Sequence, residues 1–374
     1  MFSKSLIATV VGSALATLIA ATAISASAQV PAAYPANYPA DYTKIIEGAK
    51  KEGKLVIYSA TDSKAAEPLI KDFSALYPGV KVEYNDMNST EVYNRFISEA
   101  AAGGATADLL WSSAMDLQVK LVSDGYGLAY KSPEAAAIPA WANWKDMAYG
   151  TTFEPIGFVY NKRLVPADEV PTSHDDFVKL ISSKADKYKN KVTTYDIEKS
   201  GVGFAFITQD AIDNPKFWEL AKALGDAGVR VQSSTGTMLE RISSGENLIG
   251  YNILGSYALV RAKKDPSIGV VFPKDYTLVL SRVMFVNKSA KNINAAKLWL
   301  DYTLSKRGQT VIANESQLYA IRADVKGETT SADLIKQYGA SLKPLPVSPA
   351  LLQYLDQAKR LAFLKQWKDA AGKK

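Results

Sequence analysis

Where short apolar runs in this chain hand over to helix-spaced ones, nearly all the residues at the junctions are small, neutral hydroxyl residues or glycine. Ser59-Ala60-Thr61-Asp62-Ser63, Asn88-Ser89-Thr90 and Ser112-Ser113 stand at such junctions in the first part, and Ser200-Gly201-Val202-Gly203 and Gly255-Ser256-Tyr257 in the second. Each alone reads as a helix N-cap. Together they describe another chemistry. Strand-to-helix turns in α/β proteins aim free backbone N–H groups, and the positive end of the helix dipole, into one crevice. Hydroxyl donors added to that set suit an anion held without a formal positive charge. The candidate contacts are therefore Ser59, Thr61, Ser112, Ser113, Ser200, Gly201, Gly255, Ser256 and Tyr257, with Gly255 admitting a close approach and Ser256 donating its hydroxyl.

Two charged residues stand inside apolar, extended segments. Arg282, in SRVMFV, is the best cation for the same crevice, since a buried guanidinium needs a partner and a bidentate anion supplies one. A salt bridge is its other role. Glu154, in TTFEPIGFVYN, can pair with Arg282 or receive a cationic part of a ligand. Aromatic residues Tyr58, Trp111, Trp141 and Trp144 either stack on a flat ligand or pack in the core.

Catalytic signatures are weak. The chain has one histidine, His174, read as the exposed start of a helix, and no cysteine. Zero cysteines exclude disulfides, thiolate metal sites and cysteine nucleophiles. No phosphate-binding loop, G-x-S-x-G or G-x-G-x-x-G occurs. A hydrolase or isomerase on this scaffold would need Glu154 or Asp62 as its base, and neither has an evident partner. The reading is a binding protein, not an enzyme, with no cofactor.

The elements that must position these turns follow an α/β alternation. After a helix beginning near Tyr42 and ending at Gly53, LVIYSA, VKVEYNDM and ADLLWSS read as strands, each followed by a helix-spaced segment. A long extended stretch through residues 150–161 carries the chain into a second alternating region, and YTLVLSRVMFVNKS, Tyr276–Ser289, carries it back. The last third is mostly helical. Two α/β lobes joined by two extended crossings imply a cleft between them. The expected division is 42–149 with 276–325 for one lobe, 150–275 for the other, and 326–374 as helices packing on the second lobe and the hinge.

The N-terminus carries Lys4, an uncharged and mostly apolar run, then Ala26-Ser27-Ala28. This is the pattern of a cleaved secretory signal, residues 1–28, followed by a flexible Pro/Ala/Tyr-rich lead-in over 29–41. With no cysteine to carry a lipid, the expected location is the periplasm, free of the membrane. The formal charge of +6 is spread along the chain, without the basic stripe of a nucleic-acid binder.

EGKLVIYSATDSKAAEPLIKDFSALYPGVKVE, TADLLWSS, IGFVYNKRLVP, ISSGENLIGYNI and NKSAKNINAAKLWLDYTLSKRGQ resemble the ferric-binding branch of the extracellular solute-binding proteins, over nearly the whole processed chain. The resemblance implies a two-lobed periplasmic-binding-protein fold of type II character, each lobe a mixed sheet flanked by helices. It also implies closure on a small ligand and delivery, as a monomer, to a membrane ABC permease. The iron ligands of that branch are replaced here. Its paired tyrosines fall on Gly255-Ser256 with Tyr257 left over, its acidic ligand on Ser113, and its histidine on Thr61 or Asp62. Iron would be left with Asp62 and Tyr257. The replaced set resembles relatives that take phosphorylated or other anionic organic solutes.

Overall fold

The computed structural model describes residues 34–36, 38–104 and 107–372. The expected signal segment lies outside them. Helix α1 (Thr43–Glu52) ends at Gly53, whose φ of 68° is the left-handed conformation that favours glycine at a helix C-terminus. The chain then lays down β1 (Lys54–Ser59), α2 (Ser63–Leu76), β2 (Lys81–Asp86), α3 (Ser89–Ala101), β3 (Leu109–Ser112) and α4 (Met115–Ser123). β2 and β3 both pair parallel to β1, as right-handed βαβ crossovers require. Short strands β4 (Asn143–Trp144) and β5 (Ala148–Gly150) form the far edge of this sheet.

Past Gly150 the chain leaves for a second sheet. It runs through β6 (Glu154–Asn161), α5 (His174–Ser183), α6 (Ala185–Tyr188), β7 (Val192–Tyr195), α7 (Gly201–Asp213), α8 (Phe217–Asp226) and β8 (Arg230–Gln232). There follow α9 (Thr235–Ser244), β9 (Ile249–Leu254), α10 (Gly255–Lys264), β10 (Ile268–Val271) and β11 (Thr277–Leu280). β12 (Val283–Val286) returns to the first sheet, antiparallel to β3 and β5. The sheet orders are β2-β1-β3-β12-β5-β4 and, with β13 (Leu342–Pro344), β13-β11-β6-β9-β7-β8, β10 also pairing with β6. Both sheets are mixed, and helices flank each.

Sheet membership moves the second crossing. β11 belongs to the second sheet, so the chain crosses back at Ser281-Arg282 and not from residue 276. The apolar alternation from Tyr276 onward is continuous through two strands that lie in different sheets, and hydrophobic pattern alone cannot show where one sheet ends.

Helices α11 (Ile293–Leu304) and α12 (Lys306–Asn314) pack back on the first sheet's side, α11 against α1. The chain closes with α13 (Ser331–Tyr338) and α14 (Gln357–Ala371). Phe363, Trp367 and Ala371 of α14 share an apolar cluster with Phe217, Leu220 and Leu224 of α8. A second cluster runs continuously from Tyr58, Leu110 and Phe285 of the first sheet to Ile156, Ile253 and Leu278 of the second. Part of the expected flexible lead-in is docked: Tyr38 is buried and its hydroxyl donates to Glu134 at 2.6 Å.

Candidate functional site

Both charged crossing residues end up buried, and against each other. Glu154 opens β6 and Arg282 sits where the chain crosses back. Arg282 Nε donates to Glu154 Oε1 at 2.7 Å and its Nη2 to Oε2 at 3.3 Å, with the guanidinium 1% exposed and Glu154 fully buried. Arg282 Nη1 donates to Thr61 Oγ1 at 3.0 Å, Thr152 Oγ1 to Glu154 Oε1 at 2.8 Å, and the Ser256 hydroxyl to Glu154 Oε2. The Tyr257 ring covers the guanidinium, 5.2 Å from its centroid. This network ties both crossings to a turn of each lobe.

Ser256 is therefore neither a helix cap nor free for a ligand. The N-cap of α10 is Leu254, which has no side-chain bond to give. β9 carries two residues against one of β6 near Asn252, whose φ is 57°, and such a bulge re-aims the residues that follow it. The turn then lies directly under β6. A Cβ on Gly255 would stand 2.5 Å from the Pro155 carbonyl oxygen and 2.5 Å from the Phe272 ring, so glycine is needed there for packing against the crossing. Gly201 has a similar explanation: its added Cβ would meet Leu117 at 2.8 Å and Ser89 Oγ at 3.2 Å, where α7 approaches the first lobe.

Between the sheets lies a cavity of about 280 Å³. From the first lobe it is lined at the starts of α2 (Asp62), α3 (Asn88, Ser89) and α4 (Ser113), and by Asp86 at the end of β2. From the second lobe come the starts of α7 (Ser200, Val202), α9 (Ser233, Ser234, Thr235, Gly236) and α10 (Leu254, Tyr257), with Tyr195 and Arg282 between. Helix N-termini from both lobes thus converge on one space. Local capping is done by Asn88 on Thr90 and Glu91, Ser200 on Gly203, and Ser234 on Thr237. Asn88, not Ser89 or Thr90, caps α3. That releases the Ser89 hydroxyl to accept the Val202 N–H across the cleft at 3.1 Å, while Thr90 Oγ1 donates to the Lys199 carbonyl at 3.1 Å. The two lobes are closed on each other.

Of the expected contacts, Ser113, Ser200, Tyr257, Arg282 and Asp62 border the cavity. Ser59, Thr61, Ser112, Glu154, Gly201, Gly255 and Ser256 are buried behind its wall. Ser59 donates to the Trp111 carbonyl at 2.9 Å, and Ser112 accepts the Ala114 N–H at 3.2 Å. The turn at Ser233–Gly236 is the part that sequence reading missed. It carries the same signature as the others, but the strand before it has only three residues and is largely exposed. Tyr58 and Trp111 are core residues, the latter donating to Thr151 Oγ1 at 2.9 Å. His174 is buried, not exposed: its Nδ1 lies 2.9 Å from Asp275 and its ring stacks on Tyr276 at 4.0 Å.

Burial pushes the Tyr257 phenol up to about 12, against the pull of Arg282, so it is protonated at neutral pH. Asp62 is held above the usual carboxylate range by burial of its carboxyl, with Arg282 opposing and Asp86 adding to the rise. Among the described residues no three His, Asp or Glu side chains are grouped as metal ligands. Glu154, one of the two candidate bases for a hydrolytic reading, is engaged by Arg282, Thr152 and Ser256.

The model of the bacterial extracellular solute-binding protein family matches residues 68–343. The chain belongs to this family. A crystal structure of the substrate binding protein of an ABC transporter from Agrobacterium tumefaciens is 42% identical, covers 87% of this chain and 96% of its own, and superposes with a TM-score of 0.81. The solute-binding protein is accordingly a substrate-binding component of an ABC transporter, which works with membrane permease subunits. More distant structures share the fold. The periplasmic binding protein AfuA from Actinobacillus pleuropneumoniae, with fructose-6-phosphate bound, is 22% identical over 85% of this chain and 98% of that one, TM-score 0.71. A ferric binding protein from Campylobacter jejuni is 20% identical over 84% and 99%, TM-score 0.68. No curated protein sequence matches the chain.

Proposed function

We propose that this solute-binding protein captures a small anionic solute, phosphate- or phosphonate-bearing, by closing its two lobes, and presents it to an ABC permease from the periplasm. It acts as a monomer, without turnover, after loss of residues 1–28. The observation that carries the reading is the convergence of helix starts from both lobes, dressed with Ser113, Ser200, Ser234 and Thr235, on one cavity. Backbone N–H groups and helix dipoles favour negative charge there, and the hydroxyls add direction. Arg282 adds no net charge, because Glu154 neutralises it. The cavity volume suits a compact solute.

A ferric ion is the competing cargo, and the cleft offers it a neutral phenol at Tyr257 and Asp62 where a hard trivalent cation wants several anionic oxygens. A melting-temperature screen of the processed protein separates the readings. The panel is inorganic phosphate, sugar phosphates, alkyl and aminoalkyl phosphonates, simple carboxylates, ferric citrate, ferric ion with carbonate, and citrate alone. A phosphorylated or phosphonate solute at about 100 times its Kd should add roughly 2.7 kcal/mol of stability. A shift confined to the ferric samples overturns the proposal.

A further inference from the structure

The charge on the cavity wall does not balance. Its one cation, Arg282, is spent on Glu154. Two carboxylates, Asp62 and Asp86, border the same space, and among the described residues neither has a lysine or arginine nitrogen within 4 Å. They differ in what they do. Asp86 Oδ2 accepts both the backbone N–H of Ser63, at 2.7 Å, and its hydroxyl, at 3.0 Å, and so fixes the start of α2. Asp62 caps nothing with its side chain; the Tyr257 hydroxyl of the other lobe hydrogen-bonds its carboxylate and also lies 3.4 Å from the Asp62 backbone nitrogen.

A wholly anionic solute closed into this space would meet Asp62 as a like charge, at a cost that grows as water leaves. Helix N-termini and hydroxyls explain how an anion is held, and they leave the charge of this carboxylate, hydrogen-bonded to the neutral Tyr257 phenol, unbalanced. A solute carrying both charges accounts for both halves of the wall. We propose that the cargo is zwitterionic, a compact amino-alkyl phosphonate or amino-alcohol phosphate ester, whose protonated amine pairs with Asp62 while its anionic head lies on the turns at Ser113, Ser200 and Ser234–Gly236. This rests on the anion reading above and names the class within it. The upward displacement of the Asp62 carboxyl agrees with it, since that is the behaviour of an acid awaiting a cation, and the amine would reverse it.

Titration calorimetry on the processed protein tests the proposal with two matched pairs, 2-aminoethylphosphonate against ethylphosphonate and phosphoethanolamine against ethyl phosphate, with glucose 6-phosphate alongside. In at least one pair the amine-bearing member should bind about thirtyfold more tightly, and Asp62→Asn should cut that ratio below about threefold. Asp62 bonds no backbone N–H with its side chain, so the variant should fold, and its unliganded melting temperature checks that. Equal binding within each pair, a preference that survives Asp62→Asn, or tight binding of glucose 6-phosphate alone overturns the zwitterion and leaves the anion reading standing. Binding of ferric citrate with none of the phosphorus compounds overturns both.

Discussion

Arg282 and Glu154 carry full charges in a place with almost no access to water, and each is tolerated because the other is present. Two guanidinium–carboxylate contacts, the Thr152 and Ser256 hydroxyls and the Thr61 hydroxyl leave few of their hydrogen-bonding groups unmet. Breaking such a pair from one side strands a charge and costs about 3–5 kcal/mol, whereas replacing both by apolar side chains often costs far less. Glu154→Ala should therefore lower unfolding stability by about 3–5 kcal/mol in urea titrations, and Glu154→Leu with Arg282→Met should recover much of that loss. Ser256→Asp, which sets a second carboxylate against Glu154, should destabilise the protein with no ligand present. Single variants within about 1 kcal/mol of the wild type would show that the pair is not the clasp described here.

At the scale of elements, two glycines that look alike in sequence serve different ends. Gly255 lies against fixed backbone of the crossing, the Pro155 carbonyl oxygen, and a Cβ there has nowhere to go. Gly201 faces the flexible end of Leu117 and the Ser89 hydroxyl across the closed cleft. Gly255→Ala should cost about 1–3 kcal/mol of stability whether or not ligand is bound, through overpacking. Gly201→Ala should instead leave the unliganded stability within about 1 kcal/mol and weaken ligand binding several-fold, because only the closed form meets the added methyl. Paired melting and binding measurements on both variants decide it; identical behaviour would refute the distinction. This contrast also marks what could be read in advance. Strand–turn–helix alternation was legible because buried strands and amphipathic helices have different periods, and it led to the turns at Ser113 and Ser200. What lay behind the wall was not legible. A bulge at Asn252, a carboxylate arriving from another element at Glu154, and the burial of His174 beneath Tyr276 are tertiary facts that leave no local period.

Over the whole molecule, burial sets how stability should depend on pH. Asp301 of α11 accepts hydroxyls from Tyr42 at 2.7 Å and Tyr130 at 2.6 Å, and so fastens the entry to α1 to α11. Burial pushes its carboxyl up to about 7, and that of Asp116 in α4 likewise to about 7. Unfolded, each would titrate near the ordinary aspartate value of 3.8. Between those values the folded protein binds more protons than the unfolded chain, so stability falls as pH rises. The contribution is complete below about pH 4 and lost by about pH 7, and amounts to a few kcal/mol for each group. Other carboxylates pull the opposite way, but lower down: Glu169, held near 2 by hydrogen bonds from Lys184 and Lys187, loses its contribution only as pH falls from its ordinary range toward 2. The downward-held groups titrate below this window, so the slope from pH 5 to pH 8 reports the carboxyls that burial holds upward, Asp301 and Asp116 together with Asp210 of α7. Unfolding free energy of the wild type should decline across that range. Asp301→Asn keeps an oxygen for both tyrosines and has no proton to lose, so it should remove a clear share of the decline, and Asp116→Asn a similar one. Urea titrations at pH 5, 6, 7 and 8 measure this directly. A wild-type slope of zero, or one unchanged in both variants, would mean that these carboxyls are ionised in the folded protein and that the interior around α4 and α11 is far wetter than its packing shows.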